Sequence, residues 1–236
     1  MTEREILKKN AGEFGVSLDD TALDRFELYA RLLIKQNEVM NLTAVTDPRG
    51  ITDKHFTDSL TILKAVAPAD GPEVIDVGTG AGFPGLPMLI ACPGIRLTLL
   101  DSTNKKCDFL EFLLRELGLT AKVCRMRAED AGKEPGYRER YDFAVSRAVA
   151  GMRELCEYCL PFVRPGGTFI AMKGSKGLAE LEEAKTAVRR LGGAAGETIS
   201  LDLAGCGERN LLRIRKISQT PTDYPRSSAQ IAKKPL

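Results

Sequence analysis

The 236-residue sequence contains one histidine, His55. That excludes a zinc site built on several imidazoles and forces any hydrolytic triad through a single ring. Long apolar runs are also missing. Gly, Pro or a charged residue interrupts each one within about ten residues, short of the roughly 20 that a bilayer-spanning helix needs. The opening residues, MTEREILKKNAGEF, mix charged and apolar positions and contain no signal-peptide core. A cytoplasmic protein with no membrane partner is therefore expected. There is no internal repeat and no low-complexity tract. Six cysteines (92, 107, 124, 156, 159 and 206) fall mostly inside predicted helices and strands, which suits reduced thiols packed as small apolar groups. Cys156-x-x-Cys159 has neither a second cysteine pair nor a histidine near it, so no metal is expected there.

Hydrophobic residues at 43% and charged residues at 28% are enough for a packed core, and they exclude a disordered chain. The net charge of +2 is small but unevenly spread. Residues 209–236 hold seven Lys and Arg against one Asp, which leaves −4 on residues 1–208. Clustered cations suit a polyanion, since counterion release rewards local charge; a solvated basic tail would have the same composition.

The pattern of the first seventy residues is helical. Leu23, Phe26, Ala30, Leu33 and Ile34 recur at spacings of three and four, and a second helix is expected over Asp53–Val66. From Glu73 onward, short apolar runs alternate with helical stretches. Strands are predicted at 74–77, 95–100, 121–126, 141–145, 168–172, 198–203 and 211–217, and helices at 86–91, 105–117, 152–162 and 178–191. This alternation predicts an α/β fold with a mostly parallel seven-stranded sheet, helices on both faces and an antiparallel pair at the end.

The strongest chemical signal is Glu73-Val-Ile-Asp-Val-Gly-Thr-Gly-Ala-Gly-Phe-Pro-Gly85, a glycine loop between a strand and a helix. Gly80-x-Gly82-x-x-Gly85 fits a dinucleotide fingerprint formally, with Asp101 about 20 residues on. Pro84 and Pro87 weaken that reading, because each removes an N–H donor from the helix opening. The alternative is Asp76 followed by Gly78-x-Gly80-x-Gly82, in which the acid would repel a pyrophosphate and attract a cationic amino-acid head. This pattern is similar to the first motif of class I S-adenosylmethionine-dependent methyltransferases, where Asp101 would take the ribose hydroxyls.

Further blocks occur in order: Asn41-Leu-Thr-Ala, His55-x-x-Asp58-Ser-Leu60, Leu100-Asp-Ser-x-x-Lys-Lys106, Arg127-Ala-Glu129, Ser146-Arg-Ala-Val149, Lys173-Gly174 and Tyr224-Pro-Arg…Lys-Lys-Pro-Leu236. With the glycine loop they resemble the ribosomal RNA small subunit methyltransferase G family, also called glucose-inhibited division protein B, over nearly the whole length. The resemblance implies a Rossmann-like fold and S-adenosylmethionine as methyl donor. It also implies transfer to N7 of a guanine in the 530 loop of 16S rRNA, with 16S rRNA or the 30S subunit as partner. Donor-binding residues would then be Asp76, Gly78, Gly80, Gly82, Phe83, Asp101, Ala128, Glu129 and Arg147. The implied division is a helical extension over 1–70, a methyltransferase domain over 71–218 and a basic tail over 219–236 on or near the active-site face.

The residues are compatible with that chemistry. N7 of guanine has an in-plane lone pair and loses no proton on methylation, so positioning matters more than a base. There is no Pro-Cys after the fourth predicted strand for attack by a pyrimidine C5, and no Asn/Asp-Pro-Pro-aromatic turn for an exocyclic amine. Arg147 either donates to guanine O6 and leaves N7 free, or forms a structural salt bridge. His55 and Asp58 either contact RNA or stabilise their helix, while Lys173 and Arg226 are candidates to neutralise phosphates. A small-molecule methyltransferase of the same fold is the alternative, disfavoured by the basic tail. No long exposed apolar helix demands a second subunit, so a monomer is expected.

Overall fold

The computed structural model describes residues 1–66 and 71–236. The expected boundary at residue 70 lies outside the described residues. Thr2 caps α1 (Glu3–Glu13) in a reciprocal box with Glu5, and the Asp19 carboxylate caps α2 (Asp20–Met40). Helix α2 buries Leu23, Phe26, Tyr29 and Leu33, its three-and-four-spaced stripe, and ends where Asn41 takes a left-handed conformation.

The helix expected over 53–66 is a composite. α3 (Pro48–Gly50) leads into a π-helical stretch, Ile51–Thr57, then α4 (Asp58–Leu60) and a 3₁₀ turn, Thr61–Lys64. Wide π turns are rare and concentrate at functional sites. This one carries His55 and runs directly into Asp58.

The sheet and its helices follow in alternation. β1 (Glu73–Val77), α5 (Gly85–Ala91), β2 (Arg96–Asp101), α6 (Asn104–Glu116) and β3 (Lys122–Arg125) form the first half. The second half begins with α7 (Ala128–Ala131), β4 (Tyr141–Arg147), α8 (Met152–Cys159) and β5 (Val163–Lys173). α9 (Gly177–Glu183), α10 (Lys185–Arg190), β6 (Gly193–Leu203), β7 (Gly207–Lys216) and α11 (Ser228–Lys233) complete it. The spatial order is β3-β2-β1-β4-β5-β7-β6, parallel except that β7 runs antiparallel to both neighbours. All seven predicted strands are present. The predicted helix 152–162 tightens to 3₁₀ geometry at Leu160–Phe162, around Pro161, and the helix predicted over 178–191 breaks at Ala184.

Two apolar clusters cover the sheet. Phe26, Tyr29 and Phe56 pack with Leu86, Leu89 and Leu110 on one face, so the N-terminal helices share a core with α5 and α6. Leu155, Cys156, Cys159, Leu181 and Val188 pack on the other. Both thiols of the Cys-x-x-Cys pair are fully buried, and burial raises both pKa values, Cys156 to about 12. They act as small apolar groups rather than nucleophiles.

Between β1 and β4 the strand order reverses. Chains leaving those two strands turn to opposite faces and open a crevice at their carboxyl ends, where ligands bind in such sheets.

Candidate active site

The glycine loop is held from three directions. Gly78 and Thr79 donate backbone N–H groups to the Leu100 carbonyl at 2.9 and 3.1 Å. Asp76 Oδ2 accepts from Thr79 Oγ1 at 2.6 Å and from Gly85 N at 2.8 Å. From the N-terminal helices, the Tyr29 hydroxyl donates to the Ala81 carbonyl at 2.7 Å. Gly82 has φ +108°, and a Cβ there would come within 2.6 Å of that hydroxyl, so glycine alone fits.

Beyond this loop lies a cavity of about 310 Å³ lined by Gly78, Asp101, Ala128, Glu129, Glu154 and Tyr158, among others. Asp101 ends β2, and its two oxygens accept from Gly80 N at 3.1 Å and Thr103 N at 2.8 Å. Each oxygen keeps a lone pair that can accept from a ligand hydroxyl. The charged lining is Asp101, Glu129, Glu154 and Arg127, three carboxylates against one guanidinium. Such a lining suits a cationic ligand and opposes a pyrophosphate.

A second cavity, about 430 Å³, is lined by Lys54, His55, Asp58, Arg147, Ala148, Met172, Lys173, Gly174 and Arg209. The two cavities lie on either side of one short segment: Arg147 and Ala148 line the second, Val149 and Ala150 the first. The Val149 side chain covers Gly78 so closely that a Cβ on that glycine would meet its Cγ2 at 2.6 Å.

The second cavity is organised by an ion-pair network. Arg147 donates to Asp58 Oδ2 at 2.8 Å and to the Lys54 carbonyl at 3.0 Å, while its guanidinium lies 4.9 Å from the centre of the Phe83 ring. Arg209 Nε donates to the other Asp58 oxygen at 2.8 Å. His55 stacks on Phe83 with 4.6 Å between ring centres, and its Nε2 lies 2.7 Å from Thr43 Oγ1. Burial and the Arg147 charge push the His55 pKa down to about 4, so the ring is neutral at pH 7. Lys173 pairs with Glu180 at 2.8 Å and donates to the Ala150 carbonyl at 2.5 Å.

Several expected donor-binding residues lie elsewhere. Asp76 is wholly buried behind the loop, not in the cavity; its Oδ1 has no partner, and burial raises its pKa to about 6. Gly80 and Gly82 shape the loop without lining the cavity. Phe83 faces away from the first cavity, sandwiched between Tyr29 and His55, because the N-terminal helices offer an aromatic surface there. Arg147 belongs to the second cavity, and the salt bridge foreseen as its alternative role is present, with Asp58 as partner.

Arg226 is also placed differently. Its guanidinium grips the fully buried Glu157 carboxylate on α8 at 2.6 Å, which takes it away from phosphates. Arg209, Arg213 and Lys216 of the basic segment likewise pair with Asp58, Glu197 and Glu139. Tyr29, Glu154 and Tyr158 carried no sequence signal for the site, because only tertiary packing brings them to it; Thr43 lies in the Asn41-Leu-Thr-Ala block and Arg209 in the basic segment, without an individual role assigned to either. Among the described residues no group of His, Cys, Asp or Glu is placed to hold a metal, and no helix is long and apolar enough to cross a membrane.

The family model for rRNA small subunit methyltransferase G matches residues 22–211. The chain is 47% identical to ribosomal RNA small subunit methyltransferase G of Pelotomaculum thermopropionicum over 98% of both chains. It is 44% identical to the protein of that name in Alkaliphilus oremlandii over the full length of both. Among solved structures, Pyrococcus horikoshii TYW2, in complex with MeSAdo, superimposes with a TM-score of 0.53 at 15% identity, covering 68% of this chain and 62% of that one. At that identity the likeness concerns the fold alone. With the family model matched over most of its length and relatives aligned end to end, the chain belongs to the rRNA small subunit methyltransferase G family.

Proposed function

We propose that this enzyme transfers the methyl group of S-adenosylmethionine to N7 of a guanine in the 530 loop of 16S rRNA. The supporting observation is the pair of cavities separated only by Arg147–Ala150 at the carboxyl ends of β1 and β4. One cavity takes the donor and the other the guanine.

The donor fits the first cavity by its chemistry. Asp101 has free lone pairs for ribose hydroxyls, Ala128 and Glu129 lie beside them for the adenine, and the surplus of carboxylates matches a sulfonium and an ammonium. Bound there, the donor supplies an electrophilic methyl: the N7 lone pair forms the new C–N bond as the C–S bond breaks.

No proton leaves N7, so the protein's task is alignment. Arg147 lies at the boundary and donates toward O6 of the base edge while N7 stays free. The methylated base carries a new positive charge. Asp58, paired to both Arg147 and Arg209, offsets the cations around it. Lys54, exposed on the same cavity, meets phosphates, whereas Lys173 is already held by Glu180 and the Ala150 carbonyl.

Incubating the enzyme with labelled S-adenosylmethionine and unmodified 30S subunits or 16S rRNA, then mapping the methylated nucleotide, tests this directly. Label at N7 of a 530-loop guanine is expected; label elsewhere, or none, defeats the reading. Arg147→Ala should slow single-turnover transfer by about 100-fold or more, corresponding to about 2.7 kcal/mol of alignment and electrostatics. A rate within a few-fold of wild type removes Arg147 from the reaction.

A further inference from the structure

The family model ends at residue 211, and the chemistry above assigns no role to the last seventeen residues. They nonetheless reach the donor cavity. The Arg138 guanidinium binds the Thr220 and Tyr224 carbonyls at 2.7 and 2.8 Å. Arg226 anchors the segment to Glu157, and Arg153 Nη2 donates to the Pro235 carbonyl at 2.6 Å. Ile231 is fully buried, and a Cβ on Gly132, just after α7, would lie 3.1 Å from Pro225 Cγ. The segment thus crosses the outside of α7 and α8, the two helices that supply Ala128, Glu129, Glu154 and Tyr158 to the cavity. Ala232 lines the cavity itself.

We propose that residues 220–236 form the outer wall of the methyl-donor site, with Ala232 setting how much room the donor has beside Tyr158 and Glu154. This rests on the donor reading given above. The wall acts in two ways. It narrows the mouth of the cavity directly, and it clamps α7 and α8 so that their side chains hold one geometry. An alanine at position 232 keeps the mouth open to an adenosine-sized group, and a large side chain there would fill it. Arg153 acts as a positioning residue, since it lines no part of the cavity and touches only the end of the strap.

The test is calorimetric titration of the full-length protein with S-adenosylhomocysteine. Ala232 is exposed on α11, so Ala232→Trp should leave the melting temperature unchanged while raising Kd at least tenfold. Ala232→Ser should stay within twofold of wild type. Arg153→Met, which frees the end of the strap, should raise the dissociation rate several-fold in stopped flow with little change in melting temperature. Wild-type binding combined with an Ala232→Trp Kd within twofold of it overturns the wall and leaves the donor reading intact. Failure of the wild type to bind overturns both.

Discussion

Replacing Arg226 with Met should destabilise the enzyme by stranding a buried carboxylate. Glu157 is wholly buried and accepts from Arg226 through the backbone N at 2.8 Å, Nε at 2.9 Å and Nη2 at 2.6 Å. The substitution deletes two charge-assisted hydrogen bonds, each worth about 1.5–3 kcal/mol, and leaves a buried carboxylate with one backbone donor. Breaking a buried ion pair by removing one partner costs about 3–5 kcal/mol, and the variant should lose about that much at pH 7.

Urea unfolding at pH 7, followed by circular dichroism, measures the loss. A loss below about 1 kcal/mol would refute the argument. Glu157→Gln combined with Arg226→Met should recover most of the stability, because no charge is then buried. The salt dependence of RNA binding should not change in Arg226→Met; a slope reduced by about one unit would return Arg226 to phosphate contact.

Other outcomes follow from the site. His55, with its pKa pushed down to about 4, declines a proton that the unfolded chain accepts near 6.5. It should therefore cost the protein up to about 3 kcal/mol as pH falls through that window, and His55→Gln should lose correspondingly less in acid melts. Asp76 acts in the opposite sense: its pKa, raised to about 6, makes its contribution fully present below about 4 and lost as pH rises through 6. Asp76→Asn should accordingly remove that opposing share, so that between pH 4 and 6 the variant gains stability with rising pH relative to wild type, as urea unfolding across the window would show. Gly78 has φ +73° and no room beneath Val149, so Gly78→Ala should cost about 1–3 kcal/mol of stability and weaken donor binding. Adding Val149→Ala should relieve the clash but not the backbone strain, which unfolding and titration of the double variant would separate.

The strands were legible because each is a short apolar run between turn residues, and a sheet buried on both faces requires such runs. Helix α6 was equally plain, since Cys107, Leu110 and Leu114 repeat at helical spacing and all turn inward. The π-helical turn over Ile51–Thr57 was not legible. Its sequence is ordinary, and only packing against α1, α2 and the glycine loop widens the turn. Asp101, Ala128 and Glu129 could be placed because they follow the carboxyl ends of β2 and β3, where topology puts a ligand. Phe83 and Asp76 could not: their motif is the right one, but which face of the loop each side chain takes depends on Tyr29 and Thr79. Charge counting was incomplete for a related reason. A sum over residues 209–236 cannot see that Asp58, Glu139, Glu157 and Glu197 come from elsewhere in the chain to meet those cations.

The single histidine gains a definite meaning from this geometry. A ring used as a general base needs a pKa near the working pH, and His55 is held about three units below it by burial and by Arg147. Its place against Phe83 and Thr43 makes it a neutral, flat surface at the rim of the second cavity. For the proposed attack by a ring nitrogen that sheds no proton, such a surface helps where a base would be idle. A protonated His55 would add a fifth cation to a lining that already holds Lys54, Arg147, Lys173 and Arg209, where the guanine of the proposed reaction acquires its own charge. The same arrangement that makes His55 a poor base therefore spares that cationic product one further repulsion, with Asp58 as its counter-charge.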